Sequence, residues 1–513
     1  MSRYGWTLVL LSVALLILVS TSVVAEIDVY ASGVVQGKYL YDTGLEREIA
    51  VDETTTRWVD YDASVADVRV DIDVVVGPVT LGAAYRAYLL SDEDYNPAKV
   101  VAPPTEVKHR YIAFEHEDVN LRAGHFFATF GHGLTLRSYE EIALEHDTAL
   151  DGVLAEYAMG DVSLTALSGA ATDNVEGSRY YEHVVSAARV SAPFTEYAEV
   201  AGSIVERSRT QKDDEIAIQS EVARMTDVLV GTELSVWAGP LSFVAEYVKR
   251  DGENPMTLDD EIQGHALYAS GTLGLGGLML FGEFKDYEDY QHYLVSPPTG
   301  VHDHLWTQMN RVTYQPYFDD ERGFLVEGSG TLGDALFLTG GASSSRNHDS
   351  DLRHWEMFGQ LDWTMGETIS GSAAGSWSKE YLFDVEEATG EFDEHMSGAL
   401  SAEFGIGTGS ALEVTLEGQA TEDRYDASYE DYLVSLAFYA AGDWTLIATA
   451  ERTTSETEAR EGWFMAEARK LVTDDLEVSV AAGTERRGLK CAGGVCFEEP
   501  EFEGVRLRFT SFF

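Results

Sequence analysis

Residues 67–85 read DVRVDIDVVVGPVTLGAAY, and their pattern is the clearest indication of the fold. Every second residue from Val68 to Val76 is apolar, and the positions between them are charged as far as residue 73. After a turn at residues 77–78 the alternation resumes. A period of two residues is the period of a β-strand, so the stretch predicts two antiparallel strands with one apolar and one polar face.

The same alternation recurs along the chain in segments of about ten residues, which is the length of a membrane-spanning strand. It is clearest in residues 241–247, 355–365, 412–417, 476–480 and 505–513. Strands of soluble sandwiches alternate in the same way, but they are usually only about five or six residues long. The longer segments therefore favour a barrel whose apolar face meets lipid.

Connections between these segments come in two sizes. Short turns are predicted at 77–78, 160–161, 239–240, 333–334, 366–367, 442–443 and 474–475. Long polar connections are predicted at 41–63, 91–106, 129–150, 250–261, 287–321, 382–394 and 486–500. Short periplasmic turns and long extracellular loops are typical of outer-membrane barrels.

The fold class that follows is all-β, with a single transmembrane antiparallel β-barrel of about 24 strands. Because residues 107–128 and 181–225 are hard to divide into strands by their alternation, the predicted strand count ranges from roughly 22 to 26. The barrel is expected to close, since hydrocarbon offers no water to an unpaired strand edge.

The beginning of the chain predicts a signal peptide at residues 1–25. Arg3 makes a positive start, residues 7–19 are an apolar run too short to span a membrane, and Ala25 ends a small-residue cleavage site. The outer-membrane β-barrel then occupies residues 26–513, in contact with outer-membrane lipid. With 88 acidic residues against 35 basic ones, the chain is not expected to bind nucleic acid through charge.

Two stretches resemble known outer-membrane proteins. Residues 504–513, GVRLRFTSFF, resemble the terminal strand of such proteins, which implies that Phe513 is a signal for the barrel assembly machinery. Residues 124–141, GHFFATFGHGLTLRSYEE, followed by DGV at 151–153, are similar to a family of large, uncharacterised outer-membrane barrels with a Phe-Gly-x-Gly-Leu-x-Leu-Arg-x-Tyr-Glu-Glu stretch. This resemblance implies a barrel and no particular activity.

Both cysteines of the chain, Cys491 and Cys496, lie in the segment CAGGVC. In an oxidising compartment, two cysteines five residues apart with glycines between them predict a structural disulfide that closes a loop. A zinc site would need histidine nearby, and the sequence has none there. The segment also looks like the C-terminal region of the same barrel family.

Segment 129–150 is the most informative of the predicted loops. Gly131 and Gly133 permit backbone conformations that other residues avoid, and Leu134 and Leu136 provide apolar side chains that can pack. It resembles the loop that folds into general porins, so one hypothesis is that it enters the lumen. A well-packed rim or extracellular loop is the equal alternative. The hypothesised pore constriction consists of Arg122, Arg137, Tyr139, Glu140, Glu141 and Glu145.

Charged residues on the polar strand faces predict two walls of the lumen. The basic wall consists of Arg69, Arg86, Arg506 and Arg508. The opposite, acidic wall includes Glu246, Glu356, Asp362, Glu403, Glu413 and Glu417. Opposed walls would orient dipolar solutes and select ions by sign, whereas mutual pairing of these charges would only hold the barrel's shape. A net acidic lumen would favour cations modestly and in a salt-dependent way.

Histidines raise the question of a metal. Five of the 13 lie between residues 109 and 146, namely His109, His116, His125, His132 and His146. Strand spacing does not predict their convergence, which a metal site requires. His302 and His304 would share a face on an extended segment, but a solvated loop explains them equally well. We therefore predict no metal site, no cofactor and no catalytic residue.

The function that follows is a non-enzymatic outer-membrane channel for passive passage of small hydrophilic solutes or ions, with a mild cation preference. A barrel of about 24 strands is wide enough to leak unless loops fill it, and segments 129–150 and 287–321 are the candidates. The alternative is a non-conducting scaffold or export partner whose lumen is occupied by loops or by another protein.

Overall fold

The alternating segments form strands that pair with one another from one end of the chain to the other. The computed structural model describes residues 29–50, 56–91, 105–142, 146–175, 179–212, 224–253, 261–290, 294–298, 300–302, 304–311, 320–348, 353–381, 392–424, 427–458, 460–492, 495–499 and 501–513. Thirty β-strands follow one another in this part of the chain. No helix among the described residues is long and apolar enough to cross a membrane.

The strands have the following bounds. They are β1 (Val29–Ala50), β2 (Thr56–Val76), β3 (Val79–Leu90), β4 (Thr105–His116), β5 (Val119–Phe126), β6 (Thr129–Phe130), β7 (Leu136–Arg137), β8 (Glu140–Glu141), β9 (His146–Asp147), β10 (Leu150–Met159), β11 (Val162–Val175), β12 (Arg179–Thr195), β13 (Ala198–Lys212), β14 (Arg224–Ala238), β15 (Leu241–Glu253), β16 (Glu261–Leu275), β17 (Leu278–Glu288), β18 (Glu321–Leu332), β19 (Leu336–Arg346), β20 (Arg353–Met365), β21 (Ile369–Tyr381), β22 (Asp393–Gly405), β23 (Ala411–Glu422), β24 (Ser428–Ala440), β25 (Trp444–Thr453), β26 (Gly462–Thr473), β27 (Leu476–Glu485), β28 (Gly488–Ala492), β29 (Val495–Glu499) and β30 (Phe502–Phe512).

Twenty-four of these strands form one closed antiparallel sheet. Each strand pairs with the next in the order β1–β5, β10–β27 and β30, and β30 then pairs with β1. At this seam the backbones of Gly33 and Phe513 exchange two hydrogen bonds of 3.0 and 3.1 Å. Closure leaves the sheet without an unpaired edge, and it confirms the predicted all-β barrel and its strand count.

The two faces of each strand meet different surroundings, as strand β20 illustrates. Trp355 and Met357 point outward and are exposed, whereas His354 and Glu356 between them point inward and are buried. The same apolar-out, polar-in alternation places Leu400 outside and Ser401 inside on β22. An apolar exterior around a polar interior is the arrangement of a transmembrane barrel.

All seven predicted short turns are confirmed. Short turns at 117–118 and 196–197 lie in segments 107–128 and 181–225, which were hard to divide into strands from the sequence. They contain no glycine, and Glu117 adopts a positive φ of 48° there, so the usual turn signal is missing. The hairpin ends at these turns, and both chain ends of the barrel, lie on the same side.

Two predicted long connections are wrong in part. Segment 41–63 is mostly strand, because β1 and β2 continue their pairing as far as Ala50 and Thr56. Segment 486–500 contains the hairpin β28–β29. Both segments are polar and charged, and polar strands that extend beyond the apolar belt carry no alternation to reveal them.

Candidate functional site in the barrel lumen

The connection between β5 and β10, which we call inner loop 1 (residues 127–149), has an apolar centre. Phe130, Leu134 and Leu136 are fully buried in it. They belong to one cluster with Leu229 of β14 and Val248 of β15, whose side chains are also fully buried. Inner loop 1 therefore packs against the inward face of the barrel wall.

Glu246 of β15 fastens this part of inner loop 1. Its carboxylate accepts hydrogen bonds from the His132 amide at 2.7 Å and from the Thr135 hydroxyl at 3.1 Å. Gly131 has a positive φ of 57°, and a Cβ there would collide with the Glu246 carboxylate. Glycine suits position 131 for two reasons: it tolerates the positive φ, and it leaves room for the Glu246 carboxylate.

The other end of inner loop 1 is fastened on the far side, at β2 and β4. Glu140 accepts hydrogen bonds from the Arg69 guanidinium, and Asp147 lies 3.0 Å from His109 Nε2 and 3.6 Å from Lys108 Nζ. A register shift in the β3–β4 pairing lets the neighbours Lys108 and His109 both reach Asp147.

Side-chain contacts with β2, β4 and β15 place inner loop 1 inside the barrel, because only a segment on the concave side can reach all three. This agrees with the first of the two hypotheses for segment 129–150. That the segment forms a pore constriction stays a prediction.

The hypothesised constriction residues have different surroundings. Arg122 lies on β5, with its guanidinium 3.5 Å from the centre of the Tyr111 ring. Arg137 stacks over Tyr139 at 4.6 Å. Glu140 and Glu141 form β8, paired with β9, whereas Glu145 lies outside the described residues.

Four ionisable groups of inner loop 1 have a shifted pKa, and burial raises that of Tyr139. The negative charge of Glu246, whose Oε2 is 3.7 Å from His132 Nδ1, raises the pKa of His132. Burial lowers the pKa of His146. Burial opposes ionisation of Asp147, but hydrogen bonds from His109 and the Ala149 amide lower its pKa to about 2. Asp147 is therefore a carboxylate at neutral pH.

A second segment, inner loop 2 (residues 289–311), has its described residues, 289–290, 294–298, 300–302 and 304–311, in the other half of the lumen. It begins after β17 and is anchored by polar side chains to four strands. The anchors are His302 with Glu327 at 2.5 Å, His304 with Glu356 at 2.5 Å, the Gln308 amide with Glu417 at 2.8 Å, and Arg311 with Glu451. The acceptors come from β18, β20, β23 and β25, so inner loop 2 also lies inside the barrel.

The two inner loops meet in the lumen. The Arg137 amide donates a hydrogen bond of 2.6 Å to the Leu294 carbonyl, and the Ser296 amide donates one of 3.3 Å to the Gly133 carbonyl. The Tyr290 hydroxyl donates to the carbonyl of Leu134. Together the loops form a partition whose bonds to the wall run from β2 round to β25.

Residues of the predicted basic wall are engaged with carboxylates. Arg86 bonds Asp67 at 2.7 Å, and Arg506 bonds Glu485. Arg69 bonds Asp71 in addition to Glu140, and Arg508 lies on β30 at the seam. The pairs correspond to the second alternative of the sequence analysis, in which the charges hold the barrel's shape. A transverse field across the lumen stays a prediction.

The histidines between residues 109 and 146 do not all come together in the structure. His109, however, lies beside two acidic residues, whereas the sequence analysis predicted no metal site. His109, Glu140 and Asp147 each place one possible ligand atom within 4.8 Å of the others. Strand spacing could not predict this, because two of the three residues come from inner loop 1. His116 lies apart, beside Phe114.

Sequence reasoning missed the anchors of inner loop 2. Their signal was faint: His302 and His304 alternate, as expected for an extended segment, and acidic residues recur on the inward strand faces. It also missed the ion pair of Lys285 and Glu321, which is 2.9 Å long and fully buried beneath inner loop 2. The alternation of apolar and polar residues does not indicate which inward-facing charges will pair.

At the C-terminal end, the backbone pairs Cys491 directly opposite Cys496 in the hairpin β28–β29. Their side chains lie outside the described part of the structure, so the disulfide stays a prediction. Phe513 packs its ring against Gly33 at the barrel seam. Its role as an assembly signal is untested, as is the signal peptide, which precedes the described residues.

A family model for a family of unknown function, DUF6029, matches residues 10–314, which is more than half of the chain. The chain belongs to this family. The match includes inner loop 1 and the motif that suggested the family from the sequence. Among curated proteins, none matches the chain.

Several solved barrels are similar to the structure. The P pilus usher (PapC) translocation pore has a TM-score of 0.46 at 9% identity, covering 94% of this chain and 98% of that chain. The siderophore receptor PirA from Pseudomonas aeruginosa has a TM-score of 0.47 at 9% identity, covering 94% and 80%. A BenF-like porin from Pseudomonas fluorescens Pf-5 has a TM-score of 0.40 at 12% identity, covering 72% and 97%.

Proposed function

We propose that the protein is a non-enzymatic outer-membrane channel for small hydrophilic solutes or ions, narrowed by the two inner loops. The observation that carries the proposal is the partition itself, a folded element inside a closed barrel with an apolar exterior. A partition of this kind limits the size of solutes without sealing a wide barrel. Partners in this proposal are lipid and, during biogenesis, the barrel assembly machinery.

The passage in this proposal follows the wall formed by β26, β27, β30 and β1. Bonds from the inner loops run round the remaining strands, from β2 to β25. Inward-facing charges on the seam side include Arg469 with Glu467 at 3.2 Å, and Arg506 with Glu485. Charged side chains on this wall suit ions and polar solutes better than apolar ones.

The experiment is to measure the conductance of the purified protein in a planar bilayer. The channel proposal expects steady current steps that are smaller than those of an unobstructed barrel of this size. Silence, with a co-purifying protein, would instead support a non-conducting scaffold. The buried apolar cluster that fills the lumen between β5 and β17 is the observation in favour of that second candidate.

A mild cation preference is part of the proposal. The whole chain has a net charge of −53, and inner loop 1 carries Glu140 and Glu141. Replacing both by Gln should shift the reversal potential in a salt gradient toward anions. A matched variant, Glu367→Gln in a short turn, should leave it unchanged. An unchanged reversal potential in the double variant would remove these residues from the ion pathway.

A further inference from the structure

A cluster of three possible metal ligands lies where inner loop 1 meets the barrel wall. His109 comes from β4, and Glu140 and Asp147 come from β8 and β9. One ligand atom of each lies within 4.8 Å of the other two, and His109 Nε2 is 3.0 Å from Asp147 Oδ2. Ligands of a tetrahedral zinc ion are about 3.3 Å apart, so small side-chain movements would complete the geometry.

The backbone holds the cluster in place before any ion arrives. Glu140 and Asp147 are direct cross-strand partners in the β8–β9 hairpin, so their side chains emerge on one face. His109 belongs to a strand of the barrel wall and is buried. The Ala149 amide donates a 3.0 Å hydrogen bond to Asp147 Oδ1, which leaves Oδ2 directed toward the histidine.

An imidazole nitrogen with two carboxylate oxygens is a ligand set for zinc-class transition cations, whereas calcium and magnesium prefer oxygen ligands alone. We propose that His109, Glu140 and Asp147 bind one divalent transition cation, which ties inner loop 1 to β4. Three protein ligands leave a fourth position for water.

Neighbouring charges are consistent with a divalent cation. Among the described residues, the ion pairs that reach the cluster involve Arg69, Lys108, Asp71, Glu106, Glu140 and Asp147. When Glu140 turns toward the ion, Arg69 still has Asp71 as an ion-pair partner at 2.8 Å. Lys108 likewise still has Glu106 at 3.4 Å. In these pairs four carboxylates face two basic groups, and an excess of negative charge favours a cation.

The site goes beyond the proposed function, because ion binding does not depend on conduction. The experiment therefore uses the folded barrel in detergent, without a membrane. Zinc binding is measured by competition with a chromophoric chelator. If the barrel conducts but binds no zinc, the metal site is wrong and the channel proposal is unaffected. If the barrel binds zinc but does not conduct, the channel proposal is wrong and the metal site is unaffected.

Wild-type protein should bind one zinc ion per chain, and excess calcium should not displace it. The variants His109→Ala and Asp147→Asn should each weaken zinc binding by about 10- to 100-fold or more. His116→Ala, an exposed histidine on the same strand, is the matched control and should bind as the wild type does. Absence of zinc binding, or binding unchanged in both ligand variants, would overturn the site.

A second measurement does not depend on the folding of any variant. Zinc should slow backbone hydrogen exchange of residues 140–147 in the wild-type protein, because the ion joins the β8–β9 hairpin to β4. Protection confined to another part of the barrel would show that zinc binds elsewhere, and the assignment to His109 would then be wrong.

Discussion

The two inner loops enter the same lumen but are held there by different interactions. Inner loop 1 buries Phe130, Leu134 and Leu136 against apolar residues of the wall. Inner loop 2 buries Trp306 and Met309 in a smaller cluster, and four polar anchors bond it to inward-facing glutamates, as His304 does with Glu356.

This contrast indicates which contacts of the two loops respond to solution conditions. Apolar packing depends little on salt or pH, whereas charge-assisted bonds depend on the ionisation of both partners and weaken as salt rises. The apolar centre of inner loop 1 is therefore the fixed part of the partition. The glutamate anchors of inner loop 2, and the bonds of Glu140 and Asp147 in inner loop 1, are the parts that solution conditions can release.

Deleting residues 131–145 should change the channel most, because it removes Leu134 and Leu136 from the apolar centre of inner loop 1. Single-channel conductance should rise several-fold, since the partition loses one of its two halves. Heat-dependent migration on a gel serves as the check that the barrel still folds. If conductance does not change, inner loop 1 does not narrow the pathway.

Leu134→Ala is expected to destabilise inner loop 1 by about 2–5 kcal/mol, because it leaves a cavity in a fully packed cluster. Hydrogen exchange of residues 130–137 should accelerate accordingly. Leu305→Ala in inner loop 2 is the matched control, since Leu305 is 86% exposed, and its effect should stay below about 0.5 kcal/mol. Equal effects of the two variants would contradict the proposed division between the loops.

Glu356→Gln should loosen inner loop 2 by about 1–3 kcal/mol, because His304 loses a charged partner. Exchange of residues 302–309 should speed up, and that of residues 130–137 should not. Glu403→Gln, an exposed inward-facing position on β22, provides the comparison. Uniform acceleration across both loops would mean that the partition opens as one unit.

The smallest expected effect concerns His132. Its pKa is raised by Glu246, so the protonated histidine stabilises inner loop 1 fully below its unfolded pKa of about 6.5, and the contribution is lost as pH rises through the folded value. The imidazole should titrate above about 6.5 in the wild type and lower in Glu246→Gln, as followed by NMR. Titration at the same pH in both proteins would remove Glu246 as the cause.

Much of the barrel could be predicted because its information is local. Alternation at residues such as 68–76 assigns each side chain to lipid or lumen, and turns such as 77–78 mark where strands reverse. Turns without glycine, such as 117–118, and polar strand extensions, such as those beyond residue 41, lack that local signal. The contents of the lumen are harder still to predict. Gly131 and Leu134 indicate a packed loop, but they do not indicate which strands the loop packs against.

The alternation along the chain is enough to predict a closed, two-faced β-barrel, because strands with an apolar exterior have no other way to pair their backbone groups in lipid. No sequence pattern predicted that the two inner loops meet, that Glu246 bonds one of them, or that His109 lies beside Asp147; these contacts are seen in the folded barrel. These contacts join residues far apart in the chain, and long-range contacts depend on where closure of the barrel brings each strand.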